Sequence, residues 1–194
     1  KITFPLCEDG HIDLTGTGFN DTYNHGKIIS QLITDNATKE HCQVIVKYID
    51  YFSTVDALET LAAALYHVQT KIKKVDIVNI SSSSGLSPYN NKDLEFYIKT
   101  GIKNANIVLL GDKNLKNVLR ERLMIKMLLD SGVKVVVAAG NKAEQIKDSN
   151  CNIFPACHDP RIIVVGYKHD RFKRSNYGNF VDVYENGFKL KTVQ

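Results

Sequence analysis

Val133-Lys-Val-Val-Val-Ala-Ala-Gly-Asn141 is the stretch whose reading decides the fold. From Val133 to Ala139 it is a nearly continuous apolar run, the pattern of a central parallel strand covered on both faces. Gly140-Asn141 ends it. Immediately before it stands Ser131-Gly132, where glycine can take the left-handed conformation that terminates a helix. The helix itself begins near Asn114 and continues through Leu115, Val118, Leu119, Leu123, Met127 and Leu128 at helical spacing. A helix that feeds directly into a buried strand is half of a right-handed crossover unit.

The same alternation extends in both directions. Upstream, residues 43–48 (Gln-Val-Ile-Val-Lys-Tyr) form a β-branched run that reads as a strand. Ser53 and Thr54 can cap a following helix, with Leu58, Leu61, Ala62, Leu65 and Val68 forming an apolar stripe through about Ile72. Val75 to Ile80 is a further strand that runs into Ser81, Ser82, Ser83, Ser84 and Gly85. Pro88, Tyr89 and two asparagines then make a loop, Leu94 to Ile102 a weak helix, and Ile107 to Leu110 a short strand. Downstream, Ile162 to Gly166 and Phe180 to Val183 read as two more strands. The order predicts one domain over residues 1–194: a three-layer α/β fold with a mainly parallel sheet and helices on both faces.

Composition narrows the function classes. With 43% hydrophobic residues the chain can bury a sizeable core, so disorder is not expected. Its 25 basic and 21 acidic residues are interspersed, which gives no polyanion footprint at Lys71 to Lys74 or Lys168 to Arg174, and no nucleic-acid partner is expected. No apolar run approaches the ~20 residues of a membrane span, so no membrane partner is expected either. The four cysteines (Cys7, Cys42, Cys151 and Cys157) form no C-x-x-C pair and fit either two disulfides or four thiols. Cys151, Cys157 and His158 match no common metal site, and no metal or cofactor is expected.

In parallel α/β sheets ligands gather beyond the carboxyl ends of the strands. Two candidates stand there, the serines at 81–84 and Gly140-Asn141. The Asn141 amide can point an N–H at charge developing on a substrate oxygen, and the small Ala138, Ala139 and Gly140 allow close approach of a substrate backbone. The alternative is that Asn141 simply begins a turn. A third candidate is His25, in the polar loop Asp21-Thr-Tyr-Asn-His-Gly that enters an amphipathic stretch, Ile28 to Ile33. There an imidazole can be exposed and oriented, although a surface or capping role suits the same setting.

Taken in order, these pieces resemble the subtilisin-like (subtilase) serine peptidase family. His25-Gly26 looks like its His-Gly motif, Val78-Asn-Ile-Ser81 like one wall of its substrate cleft, and Val135 to Asn141 like the strand leading to its oxyanion-hole asparagine. Ile153-Phe-Pro-Ala156, Ile162-Ile-Val-Val-Gly166, Ser175-Asn-Tyr-Gly178 and Val181-Asp-Val183 continue the series. The resemblance spans His25 to Val183. It implies a serine endopeptidase acting on a peptide or protein substrate, with His25 as general base and Asn141 stabilising the oxyanion. It also implies that Ser81, Ser82, Ser83, Ala139 and Gly140 line the cleft and bind the peptide as an added strand. Secretion is favoured by the family resemblance alone, and the sequence shows no calcium site.

The resemblance has gaps. The family's Gly-Thr-Ser nucleophile motif is not found before Gln194, and Ser175 belongs to a turn. The Asp-x-Gly motif of the triad acid is imitated only by Glu8-Asp9-Gly10, with too short a loop to His25; Asp13 and Asp21 read as loop residues. The expectation is therefore that further segments of the same protein supply the triad serine and aspartate. Lys27 replaces the usual threonine after His-Gly, and the segment from Ser84 to Asn114 is longer than usual. A catalytically inactive scaffold that binds peptides or protein partners through the same cleft is the alternative. A nucleotide site at Gly16-Thr17-Gly18 lacks both the third glycine and a preceding strand.

Overall fold

The computed structural model describes residues 12–13, 25–39, 49–50, 57–72, 74–83, 87, 89–104, 113–147, 150–168 and 175–186. The chain divides into two compact units, Lys1–Ala64 with Lys189–Gln194, and Leu65–Phe188. The expected strands at 43–48 and 107–110, the caps Ser53 and Thr54, the motifs at 8–10 and 16–18, Asp21, Ser84, Cys7 and Cys42 lie outside the described residues, as does most of 168–174.

In the first unit, β1 (Ile12–Asp13) pairs in parallel with β2 (Ile49–Asp50), and α1 (His25–Lys39) lies between them in the chain. Asp13, expected in a loop, is instead a strand residue opposite Asp50. A two-residue strand has no apolar periodicity to read, which is why the sequence hides it. The helix α2 (Ala57–Lys71) follows in the chain and runs across the division at Ala64 and Leu65, with Leu61, Ala62, Leu65 and Val68 buried as its stripe predicts.

The second unit holds a four-stranded parallel sheet in the order β3-β4-β5-β6, formed by β3 (Ile77–Ile80), β4 (Lys134–Ala138), β5 (Ile163–Tyr167) and β6 (Val183–Glu185). Between β3 and β4 run α3 (Asn91–Asn104) and α4 (Lys113–Asp130). This is the parallel α/β class expected from the alternation. The strand quoted first is interior, paired with β3 on one side and β5 on the other. Val135 and Val137 are sealed, whereas Lys134 is exposed and Val136 and Ala138 are half-buried. Burial thus alternates with period 2 along this interior strand, one row sealed and the other partly covered.

Helix α4 packs against β4 and buries Leu115, Val118, Leu119, Ile125 and Leu128. Each such side chain contributes about 1.5–3 kcal/mol when fully removed from water. Gly132 ends the helix at φ +88°. Val133 N donates to Leu128 O and Gly132 N to Leu129 O, the paired bonds of a Schellman cap. Helix α3 starts earlier than Leu94 because Asn90 caps it: its Oδ1 accepts from Lys92 N and Asp93 N, while Asp93 Oδ2 accepts from Asn90 N.

The last strand begins at Val183, later than the expected Phe180. Val181 N turns back to Gly178 O, and the Asp182 carboxylate accepts from Val164 N where a strand carbonyl would. The turn between β4 and β5 is closed by a Cys151–Cys157 disulfide and packs Ile153, Phe154 and His158 into the core. Among the described residues no helix is long and apolar enough to cross a membrane.

Candidate functional site

Parallel pairing sets where the strand ends emerge. Ile80 is opposite Val137, and Ala138 opposite Val165, so β3 and β4 discharge their next residues at the same edge of the sheet. Ser81, Ser82 and Ser83 leave β3 there, all half-buried, and the Ser81 hydroxyl accepts from Asn79 Nδ2 at 2.8 Å. Ala139 and Gly140 leave β4 beside them, both buried, and Asn141 follows exposed.

Gly140 is where the two exits meet. Its φ of +92° lies in the left-handed region, and a Cβ placed on it would fall 2.9 Å from Ser83 Oγ and 2.5 Å from Asn176 Nδ2. Only glycine fits this position. Ser83, Gly140 and Asn176 therefore form one contact at the carboxyl edge, and Asn141 projects from it.

The loop from 139 to 146 is organised around Asn176, a side chain only 2% exposed. Asn176 Nδ2 donates to Ala139 O at 2.9 Å, and its Oδ1 accepts from Lys142 N at 3.2 Å and Glu144 N at 3.1 Å. Its backbone N–H donates to Gly140 O at 2.9 Å. Tyr177 N donates to Glu144 O and Ile146 N to Tyr177 O, which continues the pairing. Ala143, at φ +56°, is a second left-handed residue and the one that turns the Lys142 and Glu144 amides toward the same acceptor. The sequence placed Asn176 in a turn motif but gave it no role, because its partners lie 32 to 37 residues away.

The half of the edge after β3 has its own anchor. Ser87 N donates to Asn152 O at 2.8 Å, and Asn152 Nδ2 donates back to Ser87 O at 3.0 Å. Asn152 lies inside the disulfide-closed turn, so Ser87 is bonded to a segment that the Cys151–Cys157 bridge closes. That bond occupies both sulfurs beside His158. Among the described residues no group of three or more His, Cys, Asp or Glu side chains is placed to hold a metal ion.

The structure thus brings Ser83, Ala139, Gly140 and Asn141 together. His25 opens α1 in the first unit, where the sequence expected a helix to begin; the preceding residues 21–24 lie outside the described residues. Among the described residues, hydrogen bonds from Arg161 hold the Asp159 and Asp130 carboxyls below the ordinary value of 3.8.

No family model matches the chain, and no curated protein matches it by sequence. Its fold is similar to that of solved proteins. One is a lanthipeptide protease, at 17% identity and a TM-score of 0.54, covering 86% of this chain and 44% of that one. Another is the epidermin leader peptide processing serine protease EpiP from Staphylococcus aureus, at 17% identity and a TM-score of 0.50, covering 73% of this chain and 34% of that one. The chain spans less than half the length of either structure. What these matches and the parallel sheet define is the fold: the α/β fold of the subtilisin-like proteases.

Proposed function

We propose that this chain carries part of a serine endopeptidase site acting on peptide or protein substrates. The carrying observation is the exposed Asn141 on a loop locked at the carboxyl end of the central strand, beside serines leaving the neighbouring strand. In this reading an extended peptide lies along Ser81, Ser82 and Ser83 on one side and Ala139 and Gly140 on the other. The Asn141 amide donates to the carbonyl oxygen as it gains negative charge, and a donor held still in advance needs no reorganisation at that moment. His25, at the start of α1, takes the proton of the attacking serine hydroxyl and returns it to the leaving amine.

The reading assigns neither the triad acid nor the nucleophilic serine to a described residue; Asp13, the last residue of β1, stands even closer in sequence to His25 than the Glu8-Asp9-Gly10 motif. Peptide hydrolysis by the natively produced protein tests the assignment. His25→Ala is expected to abolish it, and Asn141→Ala to lower turnover roughly 10²–10³-fold with folding intact. An unchanged rate in either variant would remove that residue from the mechanism.

A further inference from the structure

We propose that Asn176 is the positioning residue of the Asn141 loop, holding that loop rather than touching substrate. The anchoring rests on geometry; its catalytic consequence rests on the peptidase reading above.

A loop with left-handed residues at Gly140 and Ala143 turns successive amides inward, and the Lys142 and Glu144 amides need an acceptor there. One carbonyl oxygen with two lone pairs meets both, and the NH₂ of the same group meets Ala139 O. The orientation of the amide is fixed by its surroundings, since the opposite one would set oxygen against oxygen and nitrogen against two N–H donors. Aspartate lacks the donor and alanine lacks both groups. Burial makes the arrangement costly to lose, because water has little access to the stranded groups.

The consequence for Asn141 follows from its place in the chain. Its neighbours on both sides, Gly140 through its carbonyl and Lys142 through its N–H, are bonded to Asn176. The exposed amide therefore projects from a backbone clamped at both ends. A misplacement of about 1 Å is enough to cost on the order of 10²-fold in rate.

The test combines amide exchange with kinetics on the natively produced protein. Although Lys142 is exposed, its amide and that of Glu144 should exchange about 10-fold or more slowly than unbonded loop amides, and Asn176→Ala should erase this while β4 and β5 keep theirs. Exchange of both wild-type amides at unbonded rates overturns the proposal without any variant. Asn176→Ala should lower kcat by about 10-fold or more with KM little changed, and add little further loss in an Asn141→Ala background. Full additivity of the two losses would show that Asn176 does not act through Asn141. Should the alanine variant not fold, Asn176→Asp, which keeps the acceptor and removes the donor, should retain slow exchange at Lys142 and Glu144; fast exchange there in a folded Asp variant overturns the proposal. If the wild type hydrolyses no peptide yet shows the expected exchange pattern, the anchoring stands and the peptidase reading falls.

Discussion

His158 Nε2 lies 2.7 Å from the Glu121 carboxylate, and both side chains are sealed from solvent. The imidazole also stacks on Phe154, with ring centroids 4.4 Å apart. This polar contact ties the disulfide-closed turn to α4. Glu121→Ala leaves the imidazole buried without that partner, and a loss of about 1–3 kcal/mol is expected. Replacing both residues by apolar ones of similar volume should cost less than either single change to alanine, which urea denaturation of the set will measure.

Gly140→Ala combines two penalties. Its φ of +92° disfavours a side chain by about 1–2 kcal/mol, and the new methyl meets Asn176 Nδ2. Lower stability and a displaced Asn141 loop are the expected outcome. A denaturation midpoint equal to wild type would show that the crowding at this strand exit is relieved without cost.

The Cys151–Cys157 bond closes a short loop, with a sequence separation of 6. The chain-entropy relation for so short a loop gives about 2 kcal/mol of stabilisation. Cys151→Ser should lower stability by roughly that amount. Because Asn152 holds Ser87, amide exchange should also quicken in the segment after β3, and exchange unchanged there would separate the disulfide from the cleft wall.

The network of Arg161 with Asp159 and Asp130 predicts a pH dependence. Both carboxyls are held below their ordinary value by hydrogen bonds from Arg161, so the folded chain binds protons less readily than the unfolded one. Their contribution is present above the ordinary value of 3.8 and is lost as pH falls through the lower folded value. The difference in Tm between wild type and Arg161→Ala should therefore shrink as pH is taken from about 6 to about 2.

Much of this architecture was legible in local sequence. The strand at 134–138 and the helix at 113–130 announce themselves through apolar period and a glycine stop, and Ser81 to Ser83 and Gly140-Asn141 through their position after strands. What stayed hidden depends on distant partners. Asn176 looks like an ordinary turn asparagine until the Ala139 carbonyl is brought 37 residues back to it. Glu121 looks like a solvated helix residue until His158 arrives from the same distance in sequence. Asp13 sits in a strand too short to leave a pattern.

The central claim is a serine peptidase site, and labelling of the natively produced protein with a fluorophosphonate, followed by mass mapping of the modified residue, tests it most directly. The account predicts modification of one serine, lost in His25→Ala and retained in a folded control such as Arg161→Ala. Absence of any labelled serine in well-folded protein would contradict it and leave a peptide-binding scaffold on the same fold.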